Sequence, residues 1–176
     1  MRPKSRALAR GRCELAHQMP RMELRRTPAH AEDLVALLPA FADMYARMIR
    51  ECGLDGQGFV DDWRDRLVAY FAVELRRGAM ALYLAKVRGE IVGSAAVFID
   101  DGRTNQILRD RFATIAGVFV EPAYRGRGIA RALTESAIAW ARREGCVSLR
   151  LTTSKDAEQL YRSLGFQDGR ELVLKL

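Results

Sequence analysis

The feature that most constrains the fold is residues 117–133, in which the end of an apolar run, a glycine-containing loop and an amphipathic helix follow one another. The apolar run predicts a buried strand. Gly126 and Gly128 let the loop backbone approach a ligand without an intervening side chain. The first N–H groups of the following helix have no helical partner, and the helix dipole adds partial positive charge there. These properties together predict an anion site suited to phosphate.

Three arginines, Arg125, Arg127 and Arg131, add full positive charge to the same loop and helix start. The segment is not a dinucleotide-binding GxGxxG motif, because Arg131 stands where the third glycine would be. It also differs from the GxxxxGK[ST] pattern of phosphate-binding loops. A glycine-rich turn with a solvated basic face is the alternative interpretation of this stretch.

Hydrophobic periodicity along the rest of the chain predicts alternating strands and helices. Strands are predicted at residues 22–27, 79–87, 90–99, 112–120, 147–152 and 171–176. Helices are predicted at 34–49 with a kink or break near Pro39, at 59–77 with Gly78 closing the helix, at 127–144 and at 156–164. Arg88-Gly89 indicates a tight hairpin, and the strand after it is apolar on both faces, which is typical of a central strand. This order predicts a single α/β or α+β unit with a mixed sheet.

Charge is distributed unevenly along the 176 residues, a length that predicts one domain. Residues 1–21 carry a net charge of +5 and the remainder only +2, so the near-neutral body argues against a nucleic-acid partner. The basic segment lacks the apolar core of a secretory signal. A nucleic-acid- or lipid-attracted arm, a targeting segment, a disordered tail and a translation start at Met19 or Met22 remain open. We expect residues 1–21 to be a disordered extension of a domain at 22–176.

The three cysteines, Cys13, Cys52 and Cys146, are scattered and odd in number, so they predict neither a disulfide framework nor a CxxC metal pair. With only two histidines in the chain, no metal site is predicted. A reducing compartment, and hence a cytoplasmic location, fits this cysteine usage. No apolar run approaches the ~18–20 residues of a membrane span, and no membrane partner is expected.

Residues 125–130, RGRGIA, resemble the acetyl-CoA signature Arg/Gln-x-x-Gly-x-Gly/Ala of the GNAT superfamily of N-acetyltransferases. Residues 157–166, AEQLYRSLGF, look like the A-x-x-L-Y-x-x-x-G-F segment of the same family. Two motifs in the right order and context are more specific than either alone. The resemblance implies a mixed, mostly antiparallel central sheet flanked by about four helices, and acetyl-CoA as cosubstrate with no metal.

The resemblance also implies how the cosubstrate is bound. Successive backbone amides of the loop would bind the pyrophosphate of CoA, which assigns this role to Arg125, Gly126, Arg127, Gly128, Ile129 and Ala130. The strand before the loop would carry a bulge and bond the pantetheine arm through the backbone of Val118, Phe119 and Val120. An N–H of this strand, at Val118, would polarise the thioester oxygen. Packing of Val118 and Val120 in the core is compatible with this role.

Tyr161 occupies the place of the family tyrosine that usually lies beside the CoA sulfur, which implies a general acid for the leaving thiolate. Packing together with a bond to a carbonyl is the alternative role for this tyrosine. Ser154 stands where the family often has an asparagine that contacts the cofactor, so the resemblance implies Ser154 as a cofactor-binding residue. Its hydroxyl reaches less far, and it is suited to capping the next helix.

The general base and the acceptor are not defined by sequence. Glu121, Asp110, Asp55 and a water chain are alternatives for the base, and an amine that arrives neutral needs none. The acceptor side of the family implies lining by Tyr45, Asp55, Trp63 or Tyr70. The predicted function is transfer of an acetyl group from acetyl-CoA to a primary amine of a small molecule or protein in a ternary complex. A non-catalytic acyl-CoA sensor, nucleic-acid binding through the basic tail, and a homodimer remain open.

Overall fold

A computed structural model of the chain describes residues 23–25, 31–54, 58–100 and 111–169. Five strands form one sheet in the order β1-β2-β3-β4-β5, and their bounds are β1 (Glu23–Arg25), β2 (Met80–Val87), β3 (Glu90–Ile99), β4 (Arg111–Val120) and β5 (Cys146–Arg150). Neighbouring strands from β1 to β4 are antiparallel, and β5 is parallel to β4. The mixed, mostly antiparallel sheet confirms the predicted fold class.

Helices cover both faces of this sheet, and their bounds are α1 (Ala31–Val35), α2 (Leu38–Glu51), α3 (Trp63–Arg77), α4 (Ile129–Arg143) and α5 (Lys155–Ser163). The break predicted near Pro39 is confirmed, because α1 ends at Val35 and Pro39 lies in the first turn of α2. Proline suits that position, where its missing N–H has no helical acceptor to lose. The described residues therefore contain five helices where the sequence predicted about four.

Two apolar layers form the core, one on each face of the sheet. One layer packs α4 against alternate residues of β2 and β3, including Ala81, Tyr83 and Val97. The other layer packs α2 and α3 against the strand residues that alternate with those of the first layer, such as Leu82 and Leu84. Because both faces are covered, β3 is buried from Ile91 to Val97, as its central position predicts.

The start of α3 corrects the predicted helix at 59–77. The helix begins at Trp63, so Phe59 precedes it and is 44% exposed. Tyr70 is also 53% exposed, whereas Phe71 and Leu75 face the core. The predicted end is confirmed, since Gly78 closes α3 in a left-handed conformation at φ +68°.

Several predictions concern residues outside the described ranges. These are the basic extension at 1–21, the last strand at 171–176, and the carboxylates Asp55 and Asp110. Within the described ranges, no helix is both long and apolar enough to cross a membrane. The same ranges hold no group of three or more His, Cys, Asp or Glu side chains placed to bind a metal ion.

The glycine at position 93 of β3 lets α4 approach the sheet closely. A Cβ added there would lie 3.1 Å from the Phe119 carbonyl oxygen, 3.2 Å from Cγ2 of Ile129 and 3.3 Å from Cδ1 of Leu133. Ile129 is the first residue of α4, so this contact sets the distance between the N-terminus of α4 and the sheet. The preceding glycine loop is thereby held against the end of β4.

We expect Gly93→Ala to lower the free energy of unfolding by about 1–3 kcal/mol, because the new methyl group overpacks the contact between α4 and the sheet. Urea denaturation measures this change. Gly169→Ala is the matched control, since a Cβ at Gly169 meets no atom within 4 Å. Equal stability of the two variants would contradict the close packing at Gly93.

Candidate active site

The candidate site begins where β4 and β5 separate. Their pairing is limited to the first part of β4, from Arg111 opposite Cys146 to Thr114 opposite Arg150. Beyond that point β5 has ended, so the edge of β4 from residue 115 to residue 120 has no strand partner within the described residues. An edge of this kind offers backbone N–H and C=O groups to an extended ligand.

A β-bulge interrupts β4 on this open edge. The register with β3 shifts by one residue between the pairs Ala96–Ala116 and Ser94–Phe119. Gly117 lies in the shift with φ +60°, a left-handed conformation that favours glycine. A Cβ at this glycine would lie 3.4 Å from Cε2 of Tyr45, so the aromatic ring covers the bulge from the α2 side. The bulge expected in this strand is present.

The loop after β4 turns the chain into α4 and leaves space in front of its glycines. A short 3₁₀ turn, Pro122–Tyr124, follows Glu121. Gly126 and Gly128 have φ of +72° and +76°, and a Cβ on either would meet nothing within 4 Å. Both glycines therefore face open space, as a close approach by a ligand requires.

The backbone N–H groups of residues 126–131 make up the main binding feature of this loop. Within the described part of the chain, none of them has a backbone hydrogen-bond acceptor. The first N–H of α4 to find one is that of Ala132, which donates to the Gly128 carbonyl oxygen over 3.0 Å. N–H groups without helical acceptors at the positive end of a 15-residue helix are suited to contact an anion, and the anion site remains a prediction.

The arginine side chains around the loop are engaged by protein groups. Arg125 donates from Nε to the Val120 carbonyl oxygen over 2.9 Å, pairs with Glu51, and lies over the Phe119 ring at 5.7 Å. Arg127 bonds the Ala123 carbonyl oxygen at 3.1 Å and lies over the Tyr124 ring. Arg131 donates to Ser163 Oγ over 2.5 Å, which joins α4 to α5. Positive charge stays close to the loop, while the backbone N–H groups remain open for direct contacts.

Two reciprocal ion pairs connect α2 to the loop. Arg47 Nε lies 2.6 Å from Oε1 of Glu121, and one helical turn later Glu51 pairs with Arg125. The signs alternate on both sides, so each charged group is also one helical turn or one loop turn from a group of opposite charge. Glu121, one alternative for the general base, is therefore bound to a guanidinium group on α2.

Tyr161 lies in α5, 7% exposed, with its ring edge-on to Phe166 at 5.8 Å. Burial raises the pKa of its hydroxyl above the ordinary value, so the group stays protonated at neutral pH. Ser154 occupies the N-cap position of α5, but its exposed hydroxyl makes no capping bond. The capping role predicted for this hydroxyl is therefore wrong.

The aromatic residues predicted to line the acceptor side lie in two separate parts of the structure. Tyr45 covers the bulge and contacts Trp63, with ring centroids 6.2 Å apart, and Trp63 in turn contacts Phe59. Tyr70 instead stacks on Phe98, at the end of β3 far from the glycine loop. Tyr45 and Trp63 are the aromatic candidates that adjoin the open edge of β4.

Sequence reasoning missed four residues that shape the site: Ser94, Gly117, Arg47 and Glu51. A glycine inside an apolar strand is a signal for a bulge, and this signal could have identified Gly117. Ser94 is a lone hydroxyl in a strand that is otherwise apolar, which also singles it out. The pairing of Arg47 and Glu51 with the loop had no local signal, since each partner lies 74 residues away.

An open strand edge beside a loop of free N–H groups is an arrangement suited to an extended, phosphate-bearing ligand. The model of the acetyltransferase (GNAT) family matches residues 42–166, and the chain belongs to this family. The match includes α2 from residue 42 onward, the bulge, the loop and Tyr161. The resemblance that the two sequence motifs indicated is confirmed.

Individual relatives agree with this assignment. The chain is 33% identical over 107 residues to an uncharacterised N-acetyltransferase of Methanocaldococcus jannaschii, a match to 59% of this chain and 46% of that protein. It is 24% identical over 102 residues to a type 1 aminoglycoside N(6′)-acetyltransferase of Salmonella typhimurium, across 56% of this chain and 70% of the relative. The chain thus spans less than half the length of the archaeal relative.

Solved structures share the fold. A predicted acetyltransferase from Clostridium acetobutylicum, crystallised with acetyl-CoA, has a TM-score of 0.69 and 24% identity to this chain. The match covers 89% of this chain and 96% of the other. The shared architecture extends well beyond the two short motifs.

Gly128→Val tests the loop. We expect loss of CoA binding with the fold retained, because a branched side chain would fill the open space in front of the free N–H groups and strain the backbone at φ +76°. Titration calorimetry with CoA measures the affinity. Gly145→Val is a matched control, since Gly145 has the same φ and equally open surroundings at the other end of α4. Unchanged affinity in Gly128→Val would remove the loop from the site.

Proposed function

We propose that the chain is an N-acetyltransferase that transfers the acetyl group of acetyl-CoA to a primary amine by direct attack in a ternary complex. The observation that carries this proposal is the run of free N–H groups at residues 126–131, next to the open edge of β4. The reaction breaks the bond from the acetyl carbon to sulfur, forms a bond from that carbon to nitrogen, and moves one proton from the amine to solvent or a base.

The chain's backbone would hold the cosubstrate in two places. The free N–H groups of Gly126, Gly128 and their neighbours suit the two charges of a pyrophosphate. The open edge at Val118, Phe119 and Val120 suits the amide groups of the pantetheine arm, which would pair with it as an added strand does. Glu121 N–H bonds the Val92 carbonyl oxygen on β3, so by strand alternation the backbone groups of Val120 point to the open side. The Val120 carbonyl oxygen there already accepts a hydrogen bond from Arg125 Nε, so its N–H is the group offered to the ligand.

Polarisation of the thioester is assigned to the N–H of Val118. A backbone donor aimed at the carbonyl oxygen stabilises the negative charge that develops there as the amine attacks. The bulge supports this assignment, because it breaks the regular alternation of β4 beside Val118. A donor fixed by the strand needs no reorganisation during the reaction.

Tyr161 is assigned the protonation of the leaving thiolate. Its hydroxyl is not hydrogen-bonded to any other described residue, and burial raises its pKa, so the proton is retained at neutral pH. A thiolate of similar basicity takes that proton as the bond to sulfur breaks. The bond between Arg131 and Ser163 ties α5 to the start of α4, and therefore ties Tyr161 to the loop region.

The acceptor is proposed to be a small-molecule amine that approaches from the side of Tyr45 and Trp63. The aminoglycoside acetyltransferase relative supports a small-molecule acceptor. Cys52 and Cys146 are both free, and we place the reaction in the reducing cytoplasm.

Acetyl-CoA should raise the melting temperature, because ligand at 100 times its dissociation constant adds about 2.7 kcal/mol to folding stability. An acceptor screen with acetyl-CoA, read by release of free thiol, then tests turnover. Thermal stabilisation together with thiol release supports the enzyme. Stabilisation without turnover on any amine favours an acyl-CoA sensor, and the absence of a thermal shift at millimolar CoA contradicts both.

Tyr161→Phe should lower kcat by about 10²–10⁴ while the affinity for acetyl-CoA changes little, because only the proton donor is removed. Steady-state rates with a working acceptor measure this effect. The raised pKa moves loss of the proton to higher pH, so from about pH 7 to about pH 9 the wild type should show no decline caused by Tyr161. Tyr83→Phe, at another buried tyrosine, is the control. A drop below about threefold with chemistry rate-limiting would exclude Tyr161 as the acid.

A further inference from the structure

Ser94 is a buried hydroxyl that reaches from β3 to the bulge in β4. Its side chain is 0% exposed, and Oγ donates a hydrogen bond of 2.9 Å to the carbonyl oxygen of Gly117. The other fully buried polar side chain among the described residues, Thr134, bonds a carbonyl one turn earlier in its own helix. Only the Ser94 bond joins two strands at the point where their register shifts.

The geometry of a trans peptide extends this contact to the open edge. The C=O of Gly117 and the N–H of Val118 belong to the same planar peptide group and point in opposite directions. Because the Gly117 carbonyl oxygen accepts the Ser94 hydroxyl, the Val118 N–H points away from the Ser94 side chain. The edge of β4 that β5 leaves unpaired lies on the side of the strand opposite β3.

A second contact fixes the same peptide group from the helical side. Tyr45 lies against Gly117, close enough that a Cβ there would be 3.4 Å from its ring. The Gly117–Val118 peptide group therefore has the Tyr45 ring on one side, and its carbonyl oxygen accepts the hydrogen bond from Ser94. A hydrogen bond to a peptide carbonyl also polarises the group and strengthens its N–H as a donor.

We propose that Ser94 is a positioning residue that aims and strengthens the Val118 N–H as the donor to the thioester oxygen. This inference rests on the proposed function. Ser94 itself is too deeply buried to contact substrate, so it acts only through the Gly117–Val118 peptide group. The hydroxyl would therefore affect the reacting carbonyl while leaving the pyrophosphate contacts of the loop unchanged.

The test compares Ser94→Ala with Ser136→Ala, which removes a similar bond from hydroxyl to carbonyl, 2.9 Å long, within α4. The direct readout is the infrared stretch of acetyl-CoA labelled with ¹³C at the acetyl carbonyl, measured in complex with each protein. In the wild type and in Ser136→Ala we expect the bound carbonyl to absorb at lower frequency than in solution. In Ser94→Ala we expect this frequency to return toward the solution value.

Affinity and rate provide the second readout. Calorimetry with CoA, which lacks the acetyl carbonyl, should give dissociation constants within about twofold of wild type for both variants, since the loop is intact. Acetyl transfer should fall about tenfold or more in Ser94→Ala, a part of the ~10²–10³ loss that follows removal of an oxyanion donor. The loss should appear in kcat, because the donor acts in the transition state.

A wild-type carbonyl frequency in folded Ser94→Ala would overturn the proposal, whatever the change in melting temperature. If that variant does not fold, Ser94→Cys replaces it, because a thiol is nearly the same size and a weaker donor. In this variant, a partial return of the carbonyl frequency toward the solution value supports the proposal. The absence of any return contradicts it. Failure of the wild type to bind CoA would instead refute the proposed function, and this outcome is visible in the calorimetry before any variant is compared.

Discussion

The bulge at Gly117 is the feature on which the rest of the site depends. β5 ends at Arg150, opposite Thr114, so the edge of β4 beyond that residue is unpaired within the described residues. One additional residue on this open edge breaks the regular alternation of backbone groups along β4. The left-handed conformation at φ +60° restricts this position to glycine or to a strained residue. The bulge beside the gap in the sheet thus depends on one residue without a side chain.

Close packing on the opposite face fixes the second half of the site. The missing side chain at Gly93 brings Ile129 and Leu133 against the sheet, and α4 begins at that contact. The positive end of the helix therefore lies at the end of β4, next to the gap. Two glycines in neighbouring strands, Gly93 and Gly117, control the two features that a phosphate-bearing, extended ligand needs. Neither glycine belongs to the loop that first suggested such a ligand.

Most of the fold was predictable from local patterns, because strand alternation, the Arg88-Gly89 hairpin and the Gly78 cap act over a few residues. The start of α3 was not, since Phe59 continues the helical spacing of its apolar residues but precedes the helix. The glycine loop was predictable for the same local reason. The ion pair of Arg125 with Glu51 was not predictable, because Glu51 lies far away in sequence and is brought near only by packing of α2 on the sheet.

The role of the loop arginines follows from what they contact. Exposed ion pairs such as that of Arg125 with Glu51 contribute only ~0–1 kcal/mol each to stability, so the pairs do not explain the fold. Their effect is positional, because Arg125 also bonds the Val120 carbonyl and lies over Phe119. The guanidinium group thereby ties the loop to the last residues of β4, and in the proposed function the backbone N–H groups make the anion contacts.

Helix α2 connects the two sides of the site. Tyr45 lies against the bulge, and Arg47 and Glu51 pair with both ends of the turn that precedes the glycine loop. All three residues lie within two turns of one 14-residue helix, whose inner face is buried against the sheet. A displacement of α2 therefore moves the bulge and the loop together. In the proposed reaction, the helix that borders the acceptor is the same element that holds the cosubstrate's backbone donors in place, so the two substrates meet on one rigid support.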